Sequence, residues 1–311
     1  MSSILESLNS LVMIFVMIIP GIILSKKNII SPKQSQGINS LVADLTWPCL
    51  VIDAMQISFS KKILADCGYT FVIMVIVFVA AFGLGSLLVR VLHLKKHQSY
   101  IFTFMLIFSN TGFMGIPVIN ALYGKEAVFY ASIVEMVNDI FLFTVGIMLI
   151  QMSAGADRKV DIRSMFSPGM IGVIIGFLLF LFDFQLPGFL GESIEIIGAA
   201  TTPLTMILIG LQIGRMPFRE LVGDINMYIM SAVKLLVIPM IVFVIMIFIL
   251  RDTSVLARVI VMEFAMPVAS CTQIFALQYK SDVTFAAKGV LLSTVISIAT
   301  LPLFTVILSM F

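Results

Sequence analysis

Glu135, Asn138 and Asp139 stand at positions i, i+3 and i+4 of a long apolar run, which puts two acids and an amide on one helix face. A charged side chain at the centre of a membrane helix costs about 2.5–3.5 kcal/mol on insertion scales. That face must therefore border protein or water. Two acids in such a setting can take up and release H⁺ or Na⁺; the competing reading is a polar lock between helices. Glu263, four residues before Pro267, is placed to line the same cavity and completes a coupling-ion set of Glu135, Asn138, Asp139 and Glu263. Lys234 is the only basic residue well inside an apolar run. It could pair with one of these acids or bind a substrate carboxylate, or its stem could snorkel to an interface. Asp44 and Asp53 fall on opposite faces of their helix and cannot both serve one site directly.

A second constellation surrounds two helix breakers. The run FSNTGFMGIP at 108–117 carries Gly112, Gly115 and Pro117 in mid-span, and EFAMPVASCTQ at 263–273 carries Pro267. In an ordinary helix interior Gly costs about 1 kcal/mol and Pro about 3 kcal/mol. Such breaks persist in a membrane where protein or a water-filled cavity receives the freed backbone groups. Half-helices that meet there offer N–H groups and a positive dipole end to an anion, and free carbonyls to a cation. Asn110, Thr111, Ser270, Thr272 and Gln273 have side chains able to finish such a site. A lone proline would more simply be a kink, but two breaks flanked by polar residues favour substrate binding, with Lys234 as an added positive charge.

The elements that must hold these residues follow from composition. The chain has 311 residues, of which 60% are hydrophobic and 12% charged, with a mean hydropathy of +1.13. Soluble chains carry roughly 25% charged residues, and half that charge cannot cover a globule in water. Spanning a hydrocarbon core of about 30 Å takes about 20 apolar residues. Apolar stretches fall near 8–24, 38–56, 69–92, 99–121, 127–152, 169–183, 194–213, 227–250, 257–278 and 284–309. They predict an all-α integral membrane protein of ten transmembrane helices, the fourth and ninth interrupted. The second and seventh are the weakest on hydropathy and the sixth is short. The N-terminus lacks a cleavable signal's basic region, so the first stretch reads as a retained span.

Other classes find no support. A net charge of +2 argues against a nucleic-acid partner. Cys49, Cys67 and Cys271 have no metal-ligand spacing, and His93 and His97 lie in a basic loop without neighbouring ligands. Neither a phosphate-binding glycine loop nor a nucleophilic serine elbow occurs. No catalytic residue, metal or cofactor is expected beyond a coupling H⁺ or Na⁺.

Loop cations set the orientation. The segments after spans one, three, five, seven and nine hold Lys26, Lys27, Lys33, Arg90, Lys95, Lys96, Arg158, Lys159, Arg163, Arg215, Arg219 and Lys280, against Lys61, Lys62, Lys125, Arg251 and Arg258 on the other side. The positive-inside rule puts the larger set in the cytoplasm and both termini outside. At an offset of 155 the chain matches itself: Thr46 and Pro48 fall on Thr201 and Pro203, Gly21 on Gly176, and Gly112 on Pro267. The expected division is 1–153 and 169–311 as two five-helix repeats joined by a cytoplasmic linker at 154–168. An odd helix number per repeat makes them inverted, a plan used by secondary transporters.

The segment at 108–117, the stretch AMPVAS…ALQYKSD…LLSTVISIATLPL and the Pro48 and Pro203 spans resemble the auxin efflux carrier family over nearly the whole chain. That family includes bacterial permeases for malate, malonate and related organic acids. The resemblance implies crossing fourth and ninth helices, and kinship with sodium/bile acid symporters and sodium/proton antiporters. It also implies a scaffold of helices one, two, six and seven, often dimeric, against which the others move as an elevator. By this resemblance the crossover residues are Asn110, Gly112, Gly115, Pro117 and Pro267, and the fifth-helix pair is Asn138 and Asp139. The expectation is a homodimeric carrier of a small mono- or dicarboxylate in a bacterial inner membrane, with a carrier of bile-acid-like anions as the alternative and a non-transporting receptor as a remoter one.

Overall fold

The structure, a computed structural model, describes residues 2–155, 166–215 and 224–311. Most of the expected linker, and the cations Arg158, Lys159, Arg163 and Arg219, lie outside the described residues. Every named element among them is helical. In chain order these are α1 (Leu5–Lys26), α2 (residues 32–54), α3 (Lys61–Val91), α4 (Lys96–Ile107), α5 (Thr111–Tyr123) and α6 (Lys125–Ser153). They continue with α7 (Pro168–Leu181), α8 (Gly188–Gly214), α9 (Ile225–Ile249), α10 (Val255–Phe264), α11 (Cys271–Gln278) and α12 (Val283–Leu308). Six of them, α1, α3, α6, α8, α9 and α12, are each long and apolar enough to cross a membrane.

Lipid-facing surface is visible along α3. Val72, Ile76, Val79 and Leu87 are exposed, while Ile73, Val77, Ala81 and Gly85 on the other side are buried. A helix apolar on both faces suits hydrocarbon outside and protein inside. Two starts differ from the hydropathy reading. The second helix begins at Pro32 rather than near 38, because Ser31 and Gln34 form a reciprocal capping box over a polar first turn. Helix α8 begins at Gly188, not near 194; Glu192 and Glu195 lower the hydropathy there without breaking the helix.

Three prolines stand just after a widened, π-helical turn. Val42–Thr46 precedes Pro48, Thr111–Gly115 precedes Pro117 and Val233–Val237 precedes Pro239. A proline ring clashes with the carbonyl four residues back and donates no hydrogen bond. Adding a residue to the preceding turn relieves both problems without ending the helix.

The chain forms two compact units, each drawing on both halves of the sequence. The first contains Met1–Tyr69, Gly112–Met136 and Arg163–Met216. Its helices approach to backbone contact. A Cβ on Gly21 would collide with the carbonyl oxygen of Ile207, and one on Gly210 with that of Ile18, so α1 and α8 meet with no side chain between them. On α2 and α7, a Cβ on Gly176 would lie 2.8 Å from Met55 Sδ. The second unit contains Thr70–Thr111, Val137–Ile162 and Pro217–Phe311. An aromatic cluster organises it: the Phe78 ring lies 5.8 Å from Phe108, 5.2 Å from Phe141 and 5.9 Å from Phe264. Each such pair contributes about 0.5–1.5 kcal/mol beyond its buried area, and together they tie the end of α4 to α6 and α10.

Candidate site at the paired helix breaks

Helix α4 stops at Ile107 and the chain runs extended through Phe108, whose φ is −93° and ψ 120°. Helix α10 stops at Phe264, and Ala265–Ser270 separates it from α11. Within the second unit these two breaks lie side by side. The N–H of Asn110 donates to the Pro267 carbonyl at 2.8 Å, and the N–H of Ala269 donates to the Phe108 carbonyl at 3.1 Å. Ser109 and Val268 thereby form an isolated antiparallel bridge. The Val268 N–H donates to Ser293 Oγ of α12 at 3.1 Å, and Thr272 Oγ1 donates to the Ala269 carbonyl at 2.6 Å. Each break thus supplies the other with partners that its own helix cannot, as buried backbone groups require.

Side chains complete the junction. Asn110 Nδ2 donates to Ser270 Oγ at 3.0 Å. Asn110 and Thr111 are buried, whereas Ser270 and Gln273 are partly accessible. Lys234 does not snorkel. It is fully buried, and its ammonium donates to the carbonyls of Leu106 at 3.1 Å and Ile107 at 3.4 Å. These are terminal carbonyls of α4, where the helix dipole is negative. Lys234 therefore caps the half-helix that leads into the break.

The acids divide between the units. In the second, Asn138 and Asp139 of α6 are buried. Glu263, in the last turn of α10, is 1% exposed, and neither carboxyl oxygen has a hydrogen-bond partner among the described residues. In the first unit, Glu135 is buried against the Gly112 backbone: a Cβ there would lie 2.5 Å from Glu135 Oε1 and 3.4 Å from Trp47 Cζ2. A side chain on Gly112 would have to displace the Glu135 carboxyl group. Gly115 and Pro117 belong to the same unit, where Pro117 opens the regular part of α5.

The structure therefore brings together Asn110, Pro267, Ser270, Thr272 and Lys234 around the breaks, and Gly112 with Glu135 separately. Sequence reasoning missed Ser293, one serine among several hydroxyl residues of α12, and Trp47. It left Lys234 open between an internal partner and an interface, and the sequence carries no signal for the carbonyl partners it has.

Residues 7–305 match the model of the family Mem_trans, described as membrane transport protein. An uncharacterized transporter of Methanothermobacter thermautotrophicus is 24% identical over 302 residues, covering 97% of this chain and 98% of its own. One from Methanocaldococcus jannaschii is 21% identical over 299 residues, covering 93% and 95%.

Proposed function

Since the chain belongs to the Mem_trans family of membrane transport proteins and is a multi-pass membrane protein, we propose that it carries a small organic anion across the plasma membrane by alternating access, with a coupling ion. The observation that carries this reading is the junction of the two breaks, where Asn110 and Ser270 join half-helix ends backed by a buried lysine. A mono- or dicarboxylate such as malate, malonate or an auxin-like acid has the charge and hydrogen-bonding capacity for that junction. Thr111, Thr272 and Gln273 flank it within the second unit and complete the proposed substrate site there; Gly112, Gly115 and Pro117 follow Thr111 in sequence.

The ten-span, inverted-repeat architecture belongs to the same proposal. Counting α4 with α5 and α10 with α11 as single interrupted spans turns the twelve helices into ten. Gly176 and Gly210 stand 155 positions after Gly21 and Met55. The α1–α8 contact thus corresponds to the α7–α2 contact with the partners exchanged, as a pseudo-twofold relation requires. The elevator mechanism rests on the family resemblance: the first unit holds α1, α2, α7 and α8, which the resemblance assigns to a scaffold, together with α5 and the first part of α6, which it assigns to the moving helices. The homodimer and the outside termini remain part of the proposal on the resemblance and the loop charges.

For the coupling ion, Glu263 favours H⁺. Na⁺ needs several oxygen ligands, whereas a carboxyl group without hydrogen-bond partners can hold a proton by itself. Glu135, Asn138 and Asp139 are the other proposed members of the coupling set.

The test is uptake of labelled malate into proteoliposomes under an imposed pH gradient, with sodium present or absent. Accumulation that follows the pH gradient is expected. Accumulation that follows sodium alone would move the coupling to Na⁺, and no uptake of malate, malonate or a monocarboxylate under any gradient would overturn the organic-anion reading.

A further inference from the structure

Away from the breaks, the second unit contains a cavity of about 580 Å³ between the ends of α3, α4 and α6. One end is cationic, with Arg90 from the last turn of α3 and Lys96 from the first turn of α4 beside the Tyr100 hydroxyl. Neither cation makes an ion pair among the described residues; the nearby Asp282 is engaged instead by His97 at 3.8 Å and Gln98 at 3.2 Å. The other end is apolar, walled by Phe82, Val145 and Met148. Phe82 is 46% and Val145 39% exposed, and Val79 and Leu87 of α3 are exposed as well.

We infer that this cavity is a binding site for an anionic glycerophospholipid, with the phosphate between Arg90 and Lys96 and the upper acyl chain along Phe82, Val145 and Met148. Phe82 and Arg90 are eight residues apart on one helix, a rise of about 12 Å. The cavity thus runs from hydrocarbon depth to headgroup depth, and its polarity changes in the same direction. A free phosphate or a small dicarboxylate would fill the cationic end and leave the apolar end empty. A zwitterionic lipid would match the apolar end but leave two cations without net compensation. Basic pockets between transmembrane helices recognise anionic headgroups by this combination. The site does not depend on the identity of the transported solute. Its walls are α4 and α6, the helices that also carry the first break and Asp139, so a bound lipid braces the elements that hold the proposed site.

The test uses the full-length protein in detergent, incubated with equal amounts of phosphatidylglycerol and phosphatidylcholine of the same acyl chains, with retained lipid counted by native mass spectrometry. Two cations near the headgroup predict retention of the anionic lipid by roughly tenfold over the zwitterionic one. Arg90→Gln/Lys96→Gln should bring the ratio close to one. Lys26→Gln/Lys27→Gln, which removes the same charge at the end of α1, should leave it high. Equal loss of preference in both double variants would reduce the effect to general surface charge and overturn the site. So would an unchanged ratio in Arg90→Gln/Lys96→Gln. Displacement of the lipid by millimolar inorganic phosphate or malate would mark the cavity as a small-anion site instead.

Discussion

Where α1 crosses α8, two glycines bring main chain against main chain with no polar side chain involved. Where α4 approaches α10 and α11, the helices stop, and beside the aromatic packing the junction is joined by hydrogen bonds between extended backbone, an asparagine, serines and a threonine. The first arrangement is held by shape and tolerates no added atom. The second is held by polar groups that could be exchanged for a ligand's. Helix contacts in a membrane lack a hydrophobic driving force and depend on close packing and hydrogen bonds; this protein assigns the two to different places. The difference separates a region held by close packing from one rich in polar groups, where the substrate site is proposed.

Five substitutions would break or sharpen that contrast. The largest effect is expected for Gly210→Ala, whose new methyl meets the Ile18 carbonyl oxygen, a backbone atom with no freedom to move aside. Overpacking typically costs about 1–3 kcal/mol, and this site should reach or exceed the upper value, read as loss of monodisperse protein on extraction. Gly176→Ala, which meets the flexible Met55 side chain, should be milder in the same assay. Next comes Asn110→Ala. It should abolish substrate uptake while lowering the melting temperature only by the equivalent of about 0.5–1.5 kcal/mol for one hydrogen bond. If it unfolds the protein as Gly210→Ala does, the junction is structural and the contrast fails.

Lys234→Met should lie between these two in character. It removes charge-assisted bonds to the Leu106 and Ile107 carbonyls, worth about 1.5–3 kcal/mol, and should lower both thermal stability and uptake. Retention of full stability would mean that the cap is dispensable and that the lysine serves the substrate instead. The smallest structural effect is expected for Glu263→Gln. No hydrogen bond to the carboxyl group is lost, so the melting temperature should shift by the equivalent of less than about 1 kcal/mol. Uptake by that variant should no longer respond to a pH gradient, because an amide cannot carry the proton. A response equal to the wild type would remove Glu263 from the coupling set.

Much of the site was legible in residue types. Gly112, Pro117 and Pro267 mark the neighbourhood of the interruptions because glycine and proline weaken a helix interior, although α4 ends at Ile107 and α5 runs on through Gly112 and Pro117 by way of its π-helical turn. The polar neighbours Asn110, Ser270 and Thr272 stand out against an apolar background. Polar helix starts were not legible on hydropathy: the turn after Ser31 is helical under its capping box, and the stretch with Glu192 and Glu195 is helical although it lowers the local hydropathy. Nor was the role of Gly112 legible in full. As a residue it reads as a breaker; in the structure it is also the space that a Glu135 carboxyl group fills.

Taken by itself, the sequence determined what is local or averaged over a helix: membrane residence, the approximate positions of the apolar helices and the two interruptions. These follow from transfer energies and backbone preferences that act on a segment whatever surrounds it. Tertiary structure alone decided which groups meet. That Asn110 reaches Ser270 across 160 positions, that Lys234 turns to the end of α4 and that Glu263 is left without a hydrogen-bond partner depend on distant backbones being brought together. Spacing along a chain carries no record of such meetings once the residues sit on different helices.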